Sequence, residues 1–419
     1  MKYLFPFLDW MGKYSVERNL KGDLYAGTIV AIMLIPQGMA YAMLAGLPPV
    51  FGLYASTFPL IIYALYGSSR HLSVGPVAIV SLLVYTGISG LAEPGTQEYI
   101  AYVLLLTLMV GVLQILLGVL KLGSVTKYIS HGVISGFTSA AAIIIGFSQL
   151  KYLLGIPLEA SGNVFLISGE IGKRLDEINY MTFFIGVLAI LFLILIKVKI
   201  PKIPGPLVVV VLSIVVIWFY QLDTLGINIV GTIPSGLPLF SFPKVTLELL
   251  IELIPAAITI TIIGFIESYA IGKVIADKEG YSLHANRELN GLGLANVTAS
   301  FFSGYPITGG FSRSAVNHQS GAKSGLASIV TAILIILMLL FFTSILYYLP
   351  KAVLSAIILV AVYGLINVKG FMNLWNTKRV DGITFLLTFL VTLIISVEWG
   401  IAIGIIFSLL VILYQKRYG

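Results

Sequence analysis

The feature that most constrains this chain is its run of long, unbroken apolar segments. They fall at about 24–46, 50–66, 76–90, 99–120, 129–149, 181–198, 206–220, 250–275, 285–303, 311–319, 325–348, 351–367, 382–396 and 399–415. A helix rises 1.5 Å per residue, so roughly 20 apolar residues cross a bilayer. Most of the segments approach that length, while the third and tenth are short. The composition agrees: 58% of residues are hydrophobic, 10% are charged and the mean hydropathy is +1.02, where an ordinary soluble domain carries about a quarter charged residues. The runs are continuous, not alternating, which excludes a β-barrel. The expected fold class is an all-α polytopic membrane protein with fourteen transmembrane segments.

The basic residues orient these crossings. With the N-terminus inside, Lys2, Lys13, Arg18, Lys21, Arg70, Lys121, Lys127, Lys197, Lys199, Lys202, Lys273, Lys278, Arg287, Lys323, Lys369, Lys378, Arg379, Lys416 and Arg417 all face the cytoplasm. Lys151, Lys173, Arg174, Lys244 and Lys351 fall outside. This bias predicts both termini in the cytoplasm and a multi-pass protein of the plasma (inner) membrane. Residues 1–23 have neither an h-region nor a small-residue cleavage site, so they read as a cytoplasmic lead-in to a transporter domain over 24–419. Asp23, Asp277, Glu279, Glu288, Glu398 and Arg70-His71 lie near predicted helix ends, where solvated or snorkelling roles are expected.

Several chemistries are excluded. The chain has no Cys, so disulfides, thiolate metal centres and cysteine nucleophiles are absent. His71, His131, His284 and His318 make no ligand spacing. No cofactor or metal is implied, and the net charge of +7 marks membrane topology, not nucleic acid. An enzyme finds no nucleophile paired with a base. The stretch Gly321 to Gly325 lacks the spacing of a phosphate-binding loop. Asn296-Val297-Thr298 matches a glycosylation sequon inside a predicted span, where it reads as chance.

Short segments at positions three and ten divide the fourteen into two halves of seven, at about 24–220 and 250–415. Seven is odd, so the halves run in opposite directions: an inverted repeat, for which short Gly/Pro-interrupted helices at matching places point to the binding site. The matching stretches are Ser73-Val74-Gly75-Pro76-Val77-Ala78 and Thr308-Gly309-Gly310-Phe311-Ser312-Arg313-Ser314. A helix that starts at mid-membrane points free N–H groups and the positive end of its dipole inward, and two such ends make an anion site. Arg313 adds a full charge. Upstream of each break a helix carries a polar residue: Gln37, with Tyr41 four residues on, and Glu267. An intramembrane carboxyl is costly and so usually functional, which suggests that Glu267 exchanges the coupled proton. Two alternatives stay open. The breaks are packing kinks, or Glu267 and Arg313 are a permanent structural pair.

The residues also carry a family resemblance. Pro36-Gln37-Gly38-Met39-Ala40-Tyr41-Ala42, Gly46 to Tyr54, Gly67 to Pro76, Phe265-Ile266-Glu267-Ser268, Asn286-Arg287-Glu288-Leu289 and Phe311-Ser312-Arg313-Ser314 together resemble the SulP sulfate-permease family. The resemblance implies a seven-plus-seven inverted repeat divided into core and gate subdomains, with substrate contacts at Gln37, Tyr41, Val74, Gly75, Pro76, Val77, Phe311, Ser312 and Arg313. It also implies a cytoplasmic STAS domain after the last helix. The chain stops at Gln415-Lys416-Arg417-Tyr418-Gly419, so a membrane domain alone is expected. Sodium-coupled bicarbonate transporters that resemble the family carry Asp at the Glu267 position and Thr one turn later, where this chain has Ile271. The expected function is proton symport of a small oxyanion, sulfate first, by elevator-like or rocking alternating access. Bicarbonate, chloride or dicarboxylate transport, or an uncoupled anion channel, are the alternatives. Membrane lipid and a second copy in a homodimer are the expected partners.

Overall fold

The computed structural model describes residues 6–12, 14–124, 130–158, 164–200 and 203–418. Lys2, Lys13, Lys127, Lys202, residue 129 of the fifth predicted span and the terminal Gly419 lie outside the described residues. The helices are α1 (Phe7–Met11), α2 (Val16–Leu44), α3 (Val50–Tyr54), α4 (Phe58–Tyr66), α5 (Ala78–Ile88), α6 (Gln97–Val119), α7 (His131–Leu154), α8 (Val164–Lys173) and α9 (Tyr180–Lys199). They continue with α10 (Gly205–Tyr220), α11 (Leu247–Glu279), α12 (Ala285–Phe301), α13 (Phe311–Gln319), α14 (Leu326–Phe341), α15 (Lys351–Tyr363), α16 (Val368–Thr377), α17 (Arg379–Ile394) and α18 (Val397–Tyr418). Among the described residues six helical stretches are long and apolar enough to cross a membrane.

The all-α expectation needs one amendment. β1 (Val74–Gly75) and β2 (Thr308–Gly309) pair antiparallel, Val74 opposite Gly309 and Gly75 opposite Thr308. These are the two helix breaks, whose backbone groups would otherwise be unpaired in the interior; each strand supplies the other's missing partners. The expected span 50–66 is likewise not one helix. It splits into α3 and α4, because Ser56 Oγ donates to Gly52 O and Thr57 Oγ1 to Tyr54 O, both at 2.7 Å, and Pro59 begins the next helix. The amphipathic helices α8 and α16 are too short to cross and escaped the apolar-run reading.

The chain folds as two compact units. One takes Met1–Gly123, Ile196–Tyr220 and Ile229–Leu349, and the other Ser124–Leu195, Gln221–Asn228 and Pro350–Gly419. In the first, α12 packs along α6 and α4, α14 along α2, and α11 against α5, α6 and β2. Small residues allow the closest approach: a Cβ on Gly111 of α6 would lie 2.6 Å from Val297 N, and one on Gly293 of α12 would lie 2.8 Å from Gly111 O. In the second unit α7 packs on α15 and α17, and Ser355 Oγ donates to Gln149 O at 2.9 Å.

Three charged or titratable residues expected at solvated helix ends are buried instead. Asp23 is 0% exposed and accepts from Lys323 N, Ser324 N and Ser324 Oγ at 2.6, 3.1 and 2.7 Å. Glu288 accepts from Tyr63 Oη, Ser68 N and Ser68 Oγ. His71 bridges Tyr281 Oη at 3.2 Å and Ala322 O at 3.0 Å. In each case a turn needs a partner for its backbone or hydroxyl groups, and the ionisable side chain folds back to supply it.

Candidate anion-binding site

All the predicted site residues belong to the first unit. The β1–β2 ladder fixes where the two short helices begin. Gly310 N donates to Ser73 O at 3.0 Å, and Ser73 N donates to Ser314 Oγ at 2.9 Å. Neither α5, which starts after Val77, nor α13, which starts after Gly310, has a side chain capping its first turn. Their leading N–H groups are therefore available to an anion, as a helix start leaves its first N–H groups without intrahelical partners.

Arg313 lies one turn inside α13 and is 2% exposed. A Cβ built on Gly310 would lie 2.7 Å from Arg313 Nη2, and one on Gly75 would lie 3.4 Å from the same atom. One guanidinium thus lies beside both helix breaks. Its Nε and Nη2 are buried with no hydrogen-bond partner among the described residues. Burying a charged donor without a partner is costly, so the guanidinium is a candidate contact for a ligand. Gly75 has φ +151°, a conformation side chains rarely adopt.

Around this focus α2 contributes Gln37, 5% exposed with Oε1 unpartnered, and Tyr41, 6% exposed. Val74, Pro76 and Val77 are buried behind the ladder, whereas Phe311 and Ser312 are exposed at the start of α13. Phe311, a substrate contact by resemblance, is 68% exposed. Glu267 Oε2 is buried without a partner. No hydrogen bond or ion pair joins it to Arg313 among the described residues, although Glu267, Tyr41 and Tyr305 lie within electrostatic reach of the guanidinium. A fixed cation, two helix N-termini, an amide and an unpaired carboxyl form a set of groups suited to hold an oxyanion and to trade a proton beside it.

The sequence reading passed over the residues that set this geometry. Ser268 Oγ contacts Thr308 Oγ1 at 2.5 Å and accepts from Gly309 N at 2.7 Å, tying α11 to β2 beside Glu267. Asn296 donates to Gln114 Oε1 and Ile307 O at 2.9 and 3.1 Å and accepts from Ile307 N at 2.8 Å. That contact explains a polar side chain inside a span better than a sequon does. Ser268 stood next to Glu267, and Asn296 was a lone buried amide. Only pairing partners distant in the chain reveal what either does.

The sequence profile of the sulfate permease family matches residues 20–388. The chain belongs to that family. It is 41% identical to a protein named probable sulfate transporter 4.2 of Arabidopsis thaliana, over 99% of this chain but 62% of that protein. The family member described here therefore spans less than two thirds of that relative's length. Among solved structures, the murine solute carrier 26 family member A9, an anion transporter in the inward-facing state, is 30% identical with a TM-score of 0.93, over 98% of this chain and 71% of that one. The transmembrane domain of a cyanobacterial bicarbonate transporter shares the fold at 24% identity, with a TM-score of 0.81, over 93% of this chain and 97% of that one.

Proposed function

We propose that this sulfate permease family member carries a small inorganic oxyanion, sulfate, across a membrane by proton symport with alternating access. The observation that carries the reading is Arg313: a buried guanidinium with unpartnered Nε and Nη2, lying beside both helix breaks. The doubly charged, compact sulfate makes the fullest use of a guanidinium and two helix N-termini together. Sulfate is also named in the Arabidopsis relative.

Glu267 is the proton carrier in this reading, because its Oε2 is buried without a partner and the cation nearby is not bonded to it. The halves 24–220 and 250–415 are read as inverted repeats. The antiparallel pairing of β1 with β2 supports this, since two short helices that meet through such a ladder enter the membrane interior from opposite directions. Both termini are placed in the cytoplasm of a plasma (inner) membrane protein, and a homodimer is the proposed assembly.

Reconstitution in liposomes tests the assignment. Labelled sulfate is expected to enter faster under an inward proton gradient, saturably and without sodium. Bicarbonate, chloride or a dicarboxylate entering in sulfate's place would change the substrate. A linear flux indifferent to the proton gradient would replace symport with a channel.

A further inference from the structure

A second cluster of cationic groups, none of them used by the half-helix site, lines a cavity of about 430 Å³ in the same unit. It lies between α1, the turn after α4 and the loop joining α11 to α12. Its walls include Trp10, Ser68, Arg70, Tyr281, His284 and Arg287. A neighbouring hollow of about 230 Å³ shares His284 and Arg287 and runs along the first turn of α12. We propose that this cavity binds a phosphate monoester, either the headgroup of an anionic lipid or a free phosphate.

Four observations carry the proposal. Arg70 is pinned, its guanidinium 5.0 Å from the centre of the Tyr281 ring. Tyr281 is itself fixed, because its Oη meets Ser69 Oγ at 3.3 Å, Arg70 N at 3.3 Å and His71 Nδ1 at 3.2 Å. The guanidinium is thus held at the wall by a rigid support. Arg287, on the first turn of α12, places a second guanidinium on the same cavity, and His284 at the helix start leaves that turn without a side-chain cap. Two planar forks beside an open helix start match the three oxygens and double charge of a phosphate monoester.

Glu288, in the first turn of α12, is turned inward, where Tyr63 and Ser68 satisfy it, and Glu279 is engaged by His318 and Lys323. None of the described lining residues is acidic. Finally, Trp10 and Tyr281 give the opening the aromatic rim typical of the lipid–water boundary, and the positive-inside bias puts Arg70 and Arg287 on the leaflet where anionic lipids concentrate.

The test uses the purified full chain in detergent, following its melting temperature during titration with short-chain phosphatidic acid, phosphatidylcholine of the same chain length, or inorganic phosphate. The expected result is a saturable rise with phosphatidic acid and none with phosphatidylcholine. Arg70→Gln should weaken the apparent affinity roughly tenfold while melting like wild type without ligand, and Arg70→Lys should recover part of the affinity. Should Arg70→Gln fail to fold, Arg287→Gln takes its place. A response to phosphatidic acid alone assigns the site to a lipid headgroup, and a response to inorganic phosphate as well assigns it to the phosphate group itself.

Inorganic phosphate could also enter the half-helix site, so Arg313→Ala is titrated in parallel. Phosphate stabilisation that survives Arg313→Ala and is lost in Arg70→Gln belongs to this cavity. The reverse pattern overturns the assignment, as does no response to either phosphate probe or an affinity unchanged by Arg70→Gln.

Discussion

The guanidinium of Arg313 sits where a Cβ on Gly310 would press against it, and where one on Gly75 would just meet it. Gly310→Ala should therefore displace the charge as well as crowd the backbone, and sulfate uptake should fall at least about tenfold with expression and insertion unchanged, a loss of roughly 1.4 kcal/mol or more in transition-state stabilisation. Uptake within twofold of wild type would show that neither the glycine nor the guanidinium position matters. Arg313→Ala should raise the half-saturating sulfate concentration, and Arg313→Lys should recover only part, because an ammonium lacks the planar fork. If Arg313 instead served Glu267 as a counter-ion, Arg313→Ala would lower the melting temperature and Glu267→Gln would relieve it; a double-mutant cycle on stability and on uptake separates the two. The sequence made Arg313, Gly75 and Gly310 legible because an intramembrane charge and paired helix breaks are rare in any chain. It could not show that Arg313 is unbonded to Glu267, since that depends on rotamers, nor that Phe311 is exposed.

At the scale of elements, the turn from Gly67 to Ser73 is held by side chains reaching from distant segments. His71 is buried between Tyr281 Oη and Ala322 O, with the His318 ring 5.3 Å away and Glu279 bonded to His318 at 2.7 Å. Lys323 Nζ lies 3.8 Å from Glu279. Burial pushes the His71 imidazole down from 6.5 to about 4, against the pull of Glu279. A histidine with a lowered folded-state pKa contributes its stability fully above 6.5 and loses it as the pH falls from there toward 4, on the order of 3 kcal/mol in all. The melting temperature should drop between pH 6.5 and 4.5 more steeply in wild type than in His71→Gln. Equal slopes would mean that His71 is not the group being titrated. Asn296→Ala should cost about 2–4 kcal/mol, because it leaves Gln114 and the backbone of Ile307 unpaired in the interior; a melting shift under about 1 °C would contradict the bonding described. The apolar runs marked nearly every long helix. The α3–α4 break depended on Ser56 and Thr57 bonding backward, and the β ladder on two segments more than two hundred residues apart, which no local pattern encodes.

For the whole molecule, coupling is the property that most needs testing. Glu267→Gln imitates a carboxyl that never releases its proton, so sulfate should still bind and exchange across the membrane while net uptake driven by a proton gradient fails. Retained proton-driven uptake with wild-type pH dependence would make Glu267 structural. The apolar, helical, membrane-crossing character of the chain was readable from its segments, because crossing a bilayer constrains the length and composition of a helix together. The resemblance implied interleaved core and gate subdomains, but which segments make up each compact unit was not readable, because that depends on which helices pack together. The central claim is that the anion rests where α5 and α13 begin, against Arg313. Selenate is isosteric with sulfate and scatters anomalously at the selenium edge, so a selenate complex locates the anion directly. A single strong peak within hydrogen-bonding reach of Arg313 and the first turns of α5 and α13, lost in Arg313→Ala, is the predicted result; a peak elsewhere, or one indifferent to that substitution, would contradict the account.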